Sequence, residues 1–388
     1  MKRIFGILCA VLCGVASSAV GQTPTPSLIE IGTSDETFAS VGPLVTTAIA
    51  AGEMPGAVVV FADAEKVRFA QAFGDRQIVP ERQPMTLDTV FDLASISKSI
   101  GTATSVMILV DQAKIDLKQH AAEYLSEFGK HGKDAITIEH LLVHTSGLTP
   151  DNALADYQDG QEVAWQRICD LKLRSEPGEK FAYSDVGFIV LGKLVQQVSG
   201  MPLDQFARER IFSPLGMSET SYNPPADLRE RAATTETRDD QPIKGVVHDP
   251  RAHLMGGVAG HAGVFSTAGD MVRFGQAMLR TAKSQPSDSD STVRLFQKST
   301  FDLMTQPRDV HRGTRTFGWD HQSPYSRNRG TSLSDAAFGH GGFTGTVMWI
   351  DPAKELVFIF LSSRLHPDGK GSVNDLAGEL ATHVGAKW

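Results

Sequence analysis

Apolar runs near the two ends of the chain predict two pairs of β-strands. Residues 57–62 and 67–73 are predicted to form one hairpin, and residues 346–350 and 356–361 a second one. If the two pairs join in one antiparallel sheet, the long middle of the chain is an insertion between the two halves of that sheet. A cleft between the sheet and the insertion is then the expected place for an active site.

The middle of the chain has the spacing of amphipathic helices. A buried helix with Ser95 at its N-terminus is predicted from apolar residues that fall on one helical face: Ile96, Ile100, Ala103, Met107 and Val110. The same spacing predicts four further helices, at about 186–198, 202–211, 267–278 and 375–384. Gly200 would end the first of these four, and Thr267 with Asp270 would cap the third.

The first residues differ in character from the rest of the chain. Lys2 and Arg3 precede an apolar run over 4–16, which leads through small residues to a cleavage site at 19–21. We interpret residues 1–21 as a secretory signal peptide, 22–35 as a spacer and 36–388 as the folded domain. The apolar run is too short for a comfortable membrane span. The protein is therefore expected to be exported, to the periplasm or outside the cell, with lipidation at Cys13 as a minor alternative.

Composition is that of an ordinary globular protein, with 41% hydrophobic and 21% charged residues among 388. This length suits one large domain or two interleaved ones. Removal of residues 1–21 reduces the 37 basic residues to 35, against 45 acidic ones, and shifts the net charge from −8 to −10. Such a surface argues against nucleic acid as a partner. Cys9 and Cys13 are removed too, so Cys169 remains alone and no intramolecular disulfide is expected.

The tetrapeptide Ser95-Ile96-Ser97-Lys98 places a hydroxyl group one helical turn from an amine. Serine and lysine three residues apart share one side of a helix, and the free N–H groups at the helix N-terminus favour negative charge on the serine oxygen. An amine against a buried helix tends to lose its proton more readily, which lets it act as a base. By itself the tetrapeptide is common, because serine caps many helices and lysine covers many helix surfaces.

Three later stretches accompany this pair. Tyr183 lies just before a predicted helix and would be a second proton-transfer group in the cleft, or else a packed turn tyrosine. The glycines within residues 339–346 would let a substrate backbone approach a strand edge, or else mark a bulged strand. Residues 136–148 have apolar spacing and a terminal glycine, and they are predicted to be scaffold.

These stretches together resemble the serine β-lactamase-related family, which includes class C β-lactamases, D-alanyl-D-alanine carboxypeptidases and esterases. The resemblance runs from about Glu36 to the C-terminus. It rests on the order and spacing of five motifs: SISK at 95–98, HTSGL at 144–148, YSD at 183–185, GGVAGHAG at 256–263 and GHGG at 339–342.

The fold that this resemblance implies is α/β, with an antiparallel five-stranded sheet flanked by helices and an inserted, mostly helical subdomain. The sheet would come from about residues 36–80 and 255–388, and the helical part from about 90–250. The resemblance requires no metal or organic cofactor.

The resemblance also implies a role for each matching residue. Ser95 would be the acylated nucleophile and Lys98 its proton acceptor or hydrogen-bond partner. Tyr183 would pass a proton to the leaving atom and later activate water. The backbone N–H groups of Ser95 and Phe343 would stabilise the tetrahedral oxyanion.

Two departures from the family pattern affect the expected substrate. Asp185 stands where the tyrosine motif usually ends in asparagine, and an ionised carboxylate cannot donate a hydrogen bond. His340-Gly341-Gly342 stands where β-lactamases and carboxypeptidases usually carry Lys-Thr-Gly, so a permanent charge and a hydroxyl group are missing there, and histidine is uncharged in part at neutral pH. These four residues are the predicted substrate-binding positions, and esters or modified peptides become more plausible substrates.

Other side chains have two possible interpretations. Three histidines lie close together in the sequence: His248, His253 and His261. No cysteine or paired carboxylate accompanies them at ligand spacing, so no metal site is predicted. His261 is expected to bond a loop near the cleft, and His144 to tie down a turn. Trp319 and Tyr325 would either line the cleft or pack a loop.

The predicted function is an exported serine hydrolase that forms an acyl-enzyme on Ser95. It would cleave an ester or an amide: a β-lactam, a D-Ala-type peptide or a carboxylic ester. The expected partner is a small-molecule or peptide acyl substrate, with peptidoglycan fragments included, and no integral membrane span is expected after processing. The alternative is a non-catalytic penicillin-recognising or cell-wall-binding receptor on the same fold. The presence of Ser95, Lys98 and Tyr183 together favours the hydrolase.

Overall fold

The computed structural model describes residues 35–238, 241–285 and 293–388. The predicted signal peptide, Cys13 and nearly all of the predicted spacer lie outside these residues. Within them the strands are β1 (Gly56–Ala62), β2 (Val67–Gln77), β3 (Gln83–Pro84), β4 (Val90–Asp92), β5 (Ser221–Tyr222), β6 (Thr234–Arg238), β7 (Gln241–Lys244), β8 (Val264–Thr267), β9 (Arg308–Val310), β10 (Gly313–Thr316), β11 (Trp319–Gln322), β12 (Phe338–Gly342), β13 (Thr346–Asp351) and β14 (Leu356–Ser362).

The same residues also form α-helices, most of them in the middle of the chain. They are α1 (Val41–Ala50), α2 (Thr104–Asp111), α3 (Ala121–Tyr124), α4 (Ile138–Leu142), α5 (Gln161–Asp170), α6 (Asp185–Ser199), α7 (Leu203–Ala207), α8 (Ala226–Glu230), α9 (Pro250–Leu254), α10 (Ala268–Lys283), α11 (Lys298–Thr305) and α12 (Asn374–Gly385). Two π-helical segments, Lys98–Ala103 and Arg208–Phe212, continue into α2 and out of α7 respectively.

The two predicted hairpins are present and join in one antiparallel sheet through the pairing of β1 with β14. The prediction of five strands is wrong, because this sheet has nine in the order β3-β2-β1-β14-β13-β12-β11-β10-β9. The strands that were missed are short, polar or rich in glycine, such as Gly313–Thr316 and Phe338–Gly342. They have no apolar alternation for a sequence pattern to reveal.

Both faces of the central strands are buried, which places the sheet between two helical layers. In β1, Val58 and Val60 pack into the core that contains α2, α6 and α10, whereas Val59 and Phe61 pack into the core beneath α1 and α12. Because successive side chains point to opposite faces of a strand, the unbroken apolar run of β1 serves both cores.

The predicted helices are confirmed, with details that the sequence pattern did not contain. Gly200 ends α6 in the left-handed conformation, at φ +71°, and Thr267 caps α10 by accepting a hydrogen bond from the N–H of Asp270. The helix that follows Ser95 begins as a π-helix, a form that is frequent at functional sites. Among the described residues no single helix is long and apolar enough to cross a membrane, although α6 and the helix that starts at Leu203, bent by 75°, pass that test as a pair.

Candidate active site

Ser95 lies in the turn that connects β4 to the π-helix Lys98–Ala103. The turn is held at several points: the Ala94 N–H donates to Asp92 Oδ1 at 2.9 Å, and the Thr346 hydroxyl donates to the Leu93 carbonyl at 3.1 Å. Ala94 has φ +45°, an unusual conformation for a residue with a side chain. Strained backbone of this kind is characteristic of active-site turns. The sequence-predicted nucleophile therefore sits on a rigid and partly exposed turn.

Lys98 is fully buried, and its ammonium group contacts three oxygen atoms. Nζ lies 3.0 Å from Ser95 Oγ, 2.9 Å from the His261 carbonyl oxygen and 2.7 Å from Asp185 Oδ1. The contacts with Ser95 and His261 are hydrogen bonds and the contact with Asp185 is an ion pair, and together they fit the protonated form of the lysine. The pair predicted from SISK is thus in hydrogen-bond contact.

The protonation state of Lys98 differs from the sequence-based expectation. Burial by itself would lower the pKa of Lys98, but the Asp185 carboxylate, with a smaller contribution from Tyr183, raises that pKa above its ordinary value. The expectation that the buried amine loses its proton more readily is therefore wrong. The physical reason is Asp185, whose negative charge lies against the ammonium group.

Tyr183 reaches the same site from the segment before α6. Ser184 fixes this segment: its hydroxyl accepts a hydrogen bond from the Gly187 N–H and donates one to the Thr149 carbonyl. The Tyr183 ring stacks on His144 at 4.4 Å between centroids, and Lys98 Nζ lies 5.1 Å from its ring centroid. Its hydroxyl is buried and has no hydrogen-bond partner among the described residues. Burial raises the pKa of Tyr183, and the charge of Lys98 offsets part of that rise.

His144 has the structural role that the sequence suggested. Its Nδ1 accepts a hydrogen bond from the Ser184 N–H at 3.0 Å, and its backbone adopts φ +61°. Burial, followed by the charges of Arg315 and Lys98, holds the pKa of His144 well below its usual value. A neutral His144 therefore ties the turn of its own segment to the tyrosine segment and supports the Tyr183 ring.

The two predicted oxyanion-hole residues, Ser95 and Phe343, belong to the walls of the same cavities. Phe343 follows β12 in a turn closed by the bond from the Gly345 N–H to the Gly342 carbonyl. The Phe343 carbonyl accepts a bond from Arg364 Nε at 2.8 Å. In the described part of the chain, no acceptor is found for the N–H of either residue. Two N–H groups without an acceptor among the described residues thus belong to residues that line the cavity of the nucleophile.

Three possible metal ligands cluster next to Lys98: Asp185, Asp249 and His261, whose donor atoms lie within 4.8 Å of one another. His261 Nε2 already bonds Asp249 Oδ1 at 2.9 Å, and Asp185 contacts the Lys98 ammonium. Of the three histidines that are close in sequence, only His261 belongs to this cluster, and His248 contacts Glu236 at 2.5 Å. Asp249 is thus paired with His261 and Asp185 with Lys98, so the Lys98 ammonium group is the positive charge next to this cluster.

His340 presents an acceptor to the cleft, not a charge. Its Nδ1 lies 2.8 Å from the Gly341 carbonyl, and because a carbonyl oxygen only accepts, Nδ1 carries the proton. Burial lowers the pKa of His340 to about 3, with Arg315 as the next contribution, so the ring is neutral and Nε2 has a free lone pair. That Nε2 has no partner among the described residues. His340 therefore cannot replace the charge of a Lys-Thr-Gly motif.

Gly341 and Gly342 are required by contacts within the protein. A Cβ at Gly341 would lie 2.5 Å from Asn328 Nδ2, and one at Gly342 would lie 2.1 Å from Thr346 Oγ1. Both glycines also line the cavity that contains Ser95. The approach of a substrate backbone to this strand edge stays a prediction.

Arg315 on β10 is a site residue that sequence reasoning missed. It is fully buried and lines the same cavity as Ser95, Tyr183 and His340. Its short strand carries no motif and lies outside the GHGG stretch, so no signal in the sequence pointed to it. A permanent cation is therefore present near His340, although it comes from another strand.

Ser95 contributes to the walls of two cavities, of about 380 Å³ and 400 Å³. Both are lined by Ser95, Tyr183, Tyr325 and Phe343. Tyr325 is 54% exposed and lines the cleft, whereas Trp319 is fully buried in the core. The alternatives that the sequence left open for these two aromatic residues are thereby resolved.

Gly260 precedes His261, whose carbonyl contacts Lys98, and it packs closely against α6. We expect Gly260→Ala to destabilise the protein by about 3 kcal/mol through overpacking. An added Cβ would lie 1.8 Å from the Phe188 carbonyl oxygen on α6. Gly187→Ala is the matched control, because a Cβ there meets its nearest neighbour at an ordinary 3.6 Å. Thermal unfolding of both variants measures the difference, and equal melting temperatures would contradict the expectation.

The chain is similar in sequence and in structure to known proteins. The model of the family described as Beta-lactamase matches residues 43–382. The N-acetylmuramyl-L-alanine amidase of Bacillus subtilis is 31% identical over 90% of this chain and 87% of its own length. A putative D-alanyl-D-alanine carboxypeptidase of Escherichia coli K12 is 29% identical over 94% and 92% respectively. A penicillin-binding protein homologue from Caulobacter crescentus has a similar structure, with a TM-score of 0.74 at 21% identity over 92% of this chain and 99% of its own.

Proposed function

The chain belongs to the β-lactamase family and is a serine hydrolase of that family, and from this premise we propose that it cleaves an amide bond in a peptidoglycan-type peptide through an acyl-enzyme on Ser95. The observation that carries the proposal is the contact of Lys98 Nζ with both Ser95 Oγ, at 3.0 Å, and Asp185, at 2.7 Å. The nucleophile, a proton-transfer group and a charge partner thus form one connected unit.

The proposed reaction has two steps, acylation of Ser95 and hydrolysis of the acyl-enzyme. Ser95 Oγ attacks the amide carbonyl carbon. The proton of the Ser95 hydroxyl passes to a general base, which is the deprotonated form of either Lys98 or Tyr183. The N–H groups of Ser95 and Phe343 bind the oxyanion. The base returns the proton to the leaving nitrogen, the C–N bond breaks, and an ester remains on Ser95. Water then attacks this ester through the same groups and releases the carboxylic acid and free Ser95.

The names of the relatives support an amide over an ester. One relative is named an amidase of N-acetylmuramyl-L-alanine and the others putative D-alanyl-D-alanine carboxypeptidases, and each aligns with most of this chain. The predicted signal peptide at 1–21 fits such a substrate, and we propose export on that basis. The neutral His340 and the ion-paired Asp185 distinguish this site from the Lys-Thr-Gly and asparagine pattern.

The proposal is tested by offering the full chain three substrates: N-acetylmuramyl-L-alanine, a peptide ending in D-alanyl-D-alanine, and a neutral p-nitrophenyl ester. Products are measured by chromatography, and acid-quenched samples are measured by intact mass with peptide mapping. We expect amide cleavage and an acyl adduct on Ser95. Ser97→Ala is the matched control, because the Ser97 hydroxyl accepts a bond from the Val264 N–H and should be dispensable for the adduct. Ester cleavage without any amide cleavage would overturn the amide assignment.

Asp185→Asn is expected to move the rising limb of the kcat/KM profile to lower pH by about one pH unit or more. Asp185 opposes the effect of burial on Lys98 and raises its pKa, and it adds to the rise that burial causes in the pKa of Tyr183. Removing its charge therefore lowers the pKa of both candidate bases. The direction of the shift is the same whichever of them accepts the Ser95 proton.

Asp151→Asn is the matched control for this measurement. Asp151 lines the same cavity as Asp185 but pairs with Arg251 at 3.6 Å instead of Lys98. We expect the rising limb of the kcat/KM profile of Asp151→Asn to stay at nearly the same pH as that of the native chain. An Asp185→Asn profile that is unmoved, or moved to higher pH, would show that Asp185 does not set the protonation of the base.

A further inference from the structure

Arg315 carries an unused hydrogen-bonding edge in the wall of the cavity beside Ser95. Nη1 contacts Asp320 Oδ1 at 3.3 Å, whereas Nε and Nη2 have no partner among the described residues. The side chain is fully buried, and its guanidinium carbon lies 5.7 Å from the Phe181 ring centroid and 5.9 Å from that of Tyr183. A buried arginine with several unpaired N–H groups is costly unless a partner completes it.

Asp320 neutralises this arginine only in part. Its Oδ1 also accepts the His321 N–H at 3.0 Å, and its Oδ2 accepts the Ser326 hydroxyl at 2.7 Å. The carboxylate is therefore shared among three donors, and its contact with Arg315 is the longest of them. The cavity wall near Arg315 retains positive potential that Asp320 does not cancel.

We propose that Arg315 binds a carboxylate of the substrate through its Nε–Nη2 edge and so determines specificity in the reaction proposed above, on which this inference rests. The free edge offers parallel N–H donors, an arrangement that fits the two oxygens of one carboxylate. His340 Nε2, an acceptor in the same cavity, would face an N–H of the substrate and would repel a more highly charged group such as a phosphate dianion.

The Tyr325 ring packs on the two aromatic rings that lie next to Arg315. The two nitrogen atoms of the free edge are closed to water in the structure. Tyr325 is more than half exposed and packs against the rings of Phe181 and Tyr183, the same two rings that flank Arg315. The Tyr325 ring is held only by its contacts with these two aromatic side chains among the described residues. A small rotation of the ring is therefore the movement that would admit a carboxylate.

Three thioesters with a common glycyl core test the proposal, and each releases a thiol that a disulfide reagent detects. Benzoylglycyl-thioglycolamide is neutral, benzoylglycyl-thioglycolate carries a carboxylate on the leaving group, and succinylglycyl-thioglycolamide carries one on the acyl group. The native chain should prefer one of the charged substrates at least tenfold in kcat/KM over the neutral one. Which one it prefers identifies the part of the substrate that Arg315 binds. No preference for either would overturn the proposal.

Arg315→Gln is expected to lower kcat/KM for the preferred charged thioester by about 10- to 100-fold, the range of charge-assisted hydrogen bonds, and to leave the neutral one within about threefold. Arg315→Lys, which keeps the charge but loses the fork, should fall between the native chain and Arg315→Gln. An equal loss on all three substrates would overturn the proposal, because it would mean that Arg315 only supports Tyr183.

Asp320→Asn keeps the test decisive if Arg315→Gln fails to fold. Removing the competing carboxylate should increase the preference for the charged thioester, whereas a purely structural Arg315–Asp320 pair predicts a loss on every substrate. If the native chain cleaves none of the three, the proposed function fails first. Calorimetric titration of the charged and neutral thioesters into the native and Arg315→Gln proteins then decides on Arg315 alone, and equal binding in both proteins would count against it.

Discussion

Ser95→Ala is expected to lower kcat on the amide substrate by about 10⁴-fold or more, with KM changed by less than about tenfold. Loss of the nucleophile removes the acyl-enzyme route, and the residual rate comes from binding and the oxyanion-binding N–H groups alone. The turn around Ser95 is held by Asp92, Leu93 and Thr346 through bonds that do not involve the Ser95 side chain. The variant should therefore fold normally and still bind substrate.

Three measurements check this expectation. Stopped product assays give kcat and KM, and calorimetric titration with the unhydrolysed amide gives the affinity of the inactive protein. Thermal unfolding within about 2 °C of the native chain would show that the fold is intact. Intact mass would show whether native protein contaminates the variant. An uncontaminated Ser95→Ala protein with more than about 1% of native kcat would exclude Ser95 as the nucleophile.

The local parts of this site were predictable because neighbouring residues create them. The SISK tetrapeptide fixes the separation of Ser95 and Lys98, and the helical spacing after it fixes the direction of the chain. The structure places Lys98 Nζ 3.0 Å from Ser95 Oγ. Likewise, the apolar runs of β1, β2, β13 and β14 are long enough to show a pattern, and these strands form the centre of the sheet.

The protonation of Lys98 was not predictable from the same local pattern. It depends on Asp185, which is far away in sequence and reaches Lys98 only because Ser184 caps α6 and turns the chain toward the cleft. The sequence showed that Asp185 stands where the family usually has asparagine, but it did not show that Asp185 pairs with Lys98. A substitution that was interpreted as a change in substrate binding is in the structure a charge partner for the lysine.

The outer strands of the sheet and the arginine they carry were missed for one reason. β9, β10 and β11 have three or four residues each and mix charged with apolar side chains, so no periodicity marks them. Arg315 lies on β10 and comes to the cleft because β10 pairs with β11 and β11 with β12. Only the tertiary structure brings this cation to the cavity that His340 lines.

Lys98→Met is expected to lower kcat/KM by about 10³-fold, because methionine is unbranched and shorter than lysine only by the terminal atom, the amine nitrogen that contacts Ser95 Oγ. It should also be destabilised, since Asp185 loses the charge that lies 2.7 Å away. A loss of activity in this variant alone would therefore have two explanations, loss of chemistry and loss of stability.

The double variant Lys98→Met/Asp185→Asn separates the two effects. Removing both charges leaves no unpaired carboxylate, so its melting temperature should return toward the native value, whereas kcat/KM should stay about 10³-fold low. Thermal unfolding and steady-state kinetics on the native chain, both single variants and the double variant form a complete cycle. Recovery of activity to within tenfold of native in the double variant would mean that Lys98 serves to neutralise Asp185 and that Tyr183 alone handles the Ser95 proton.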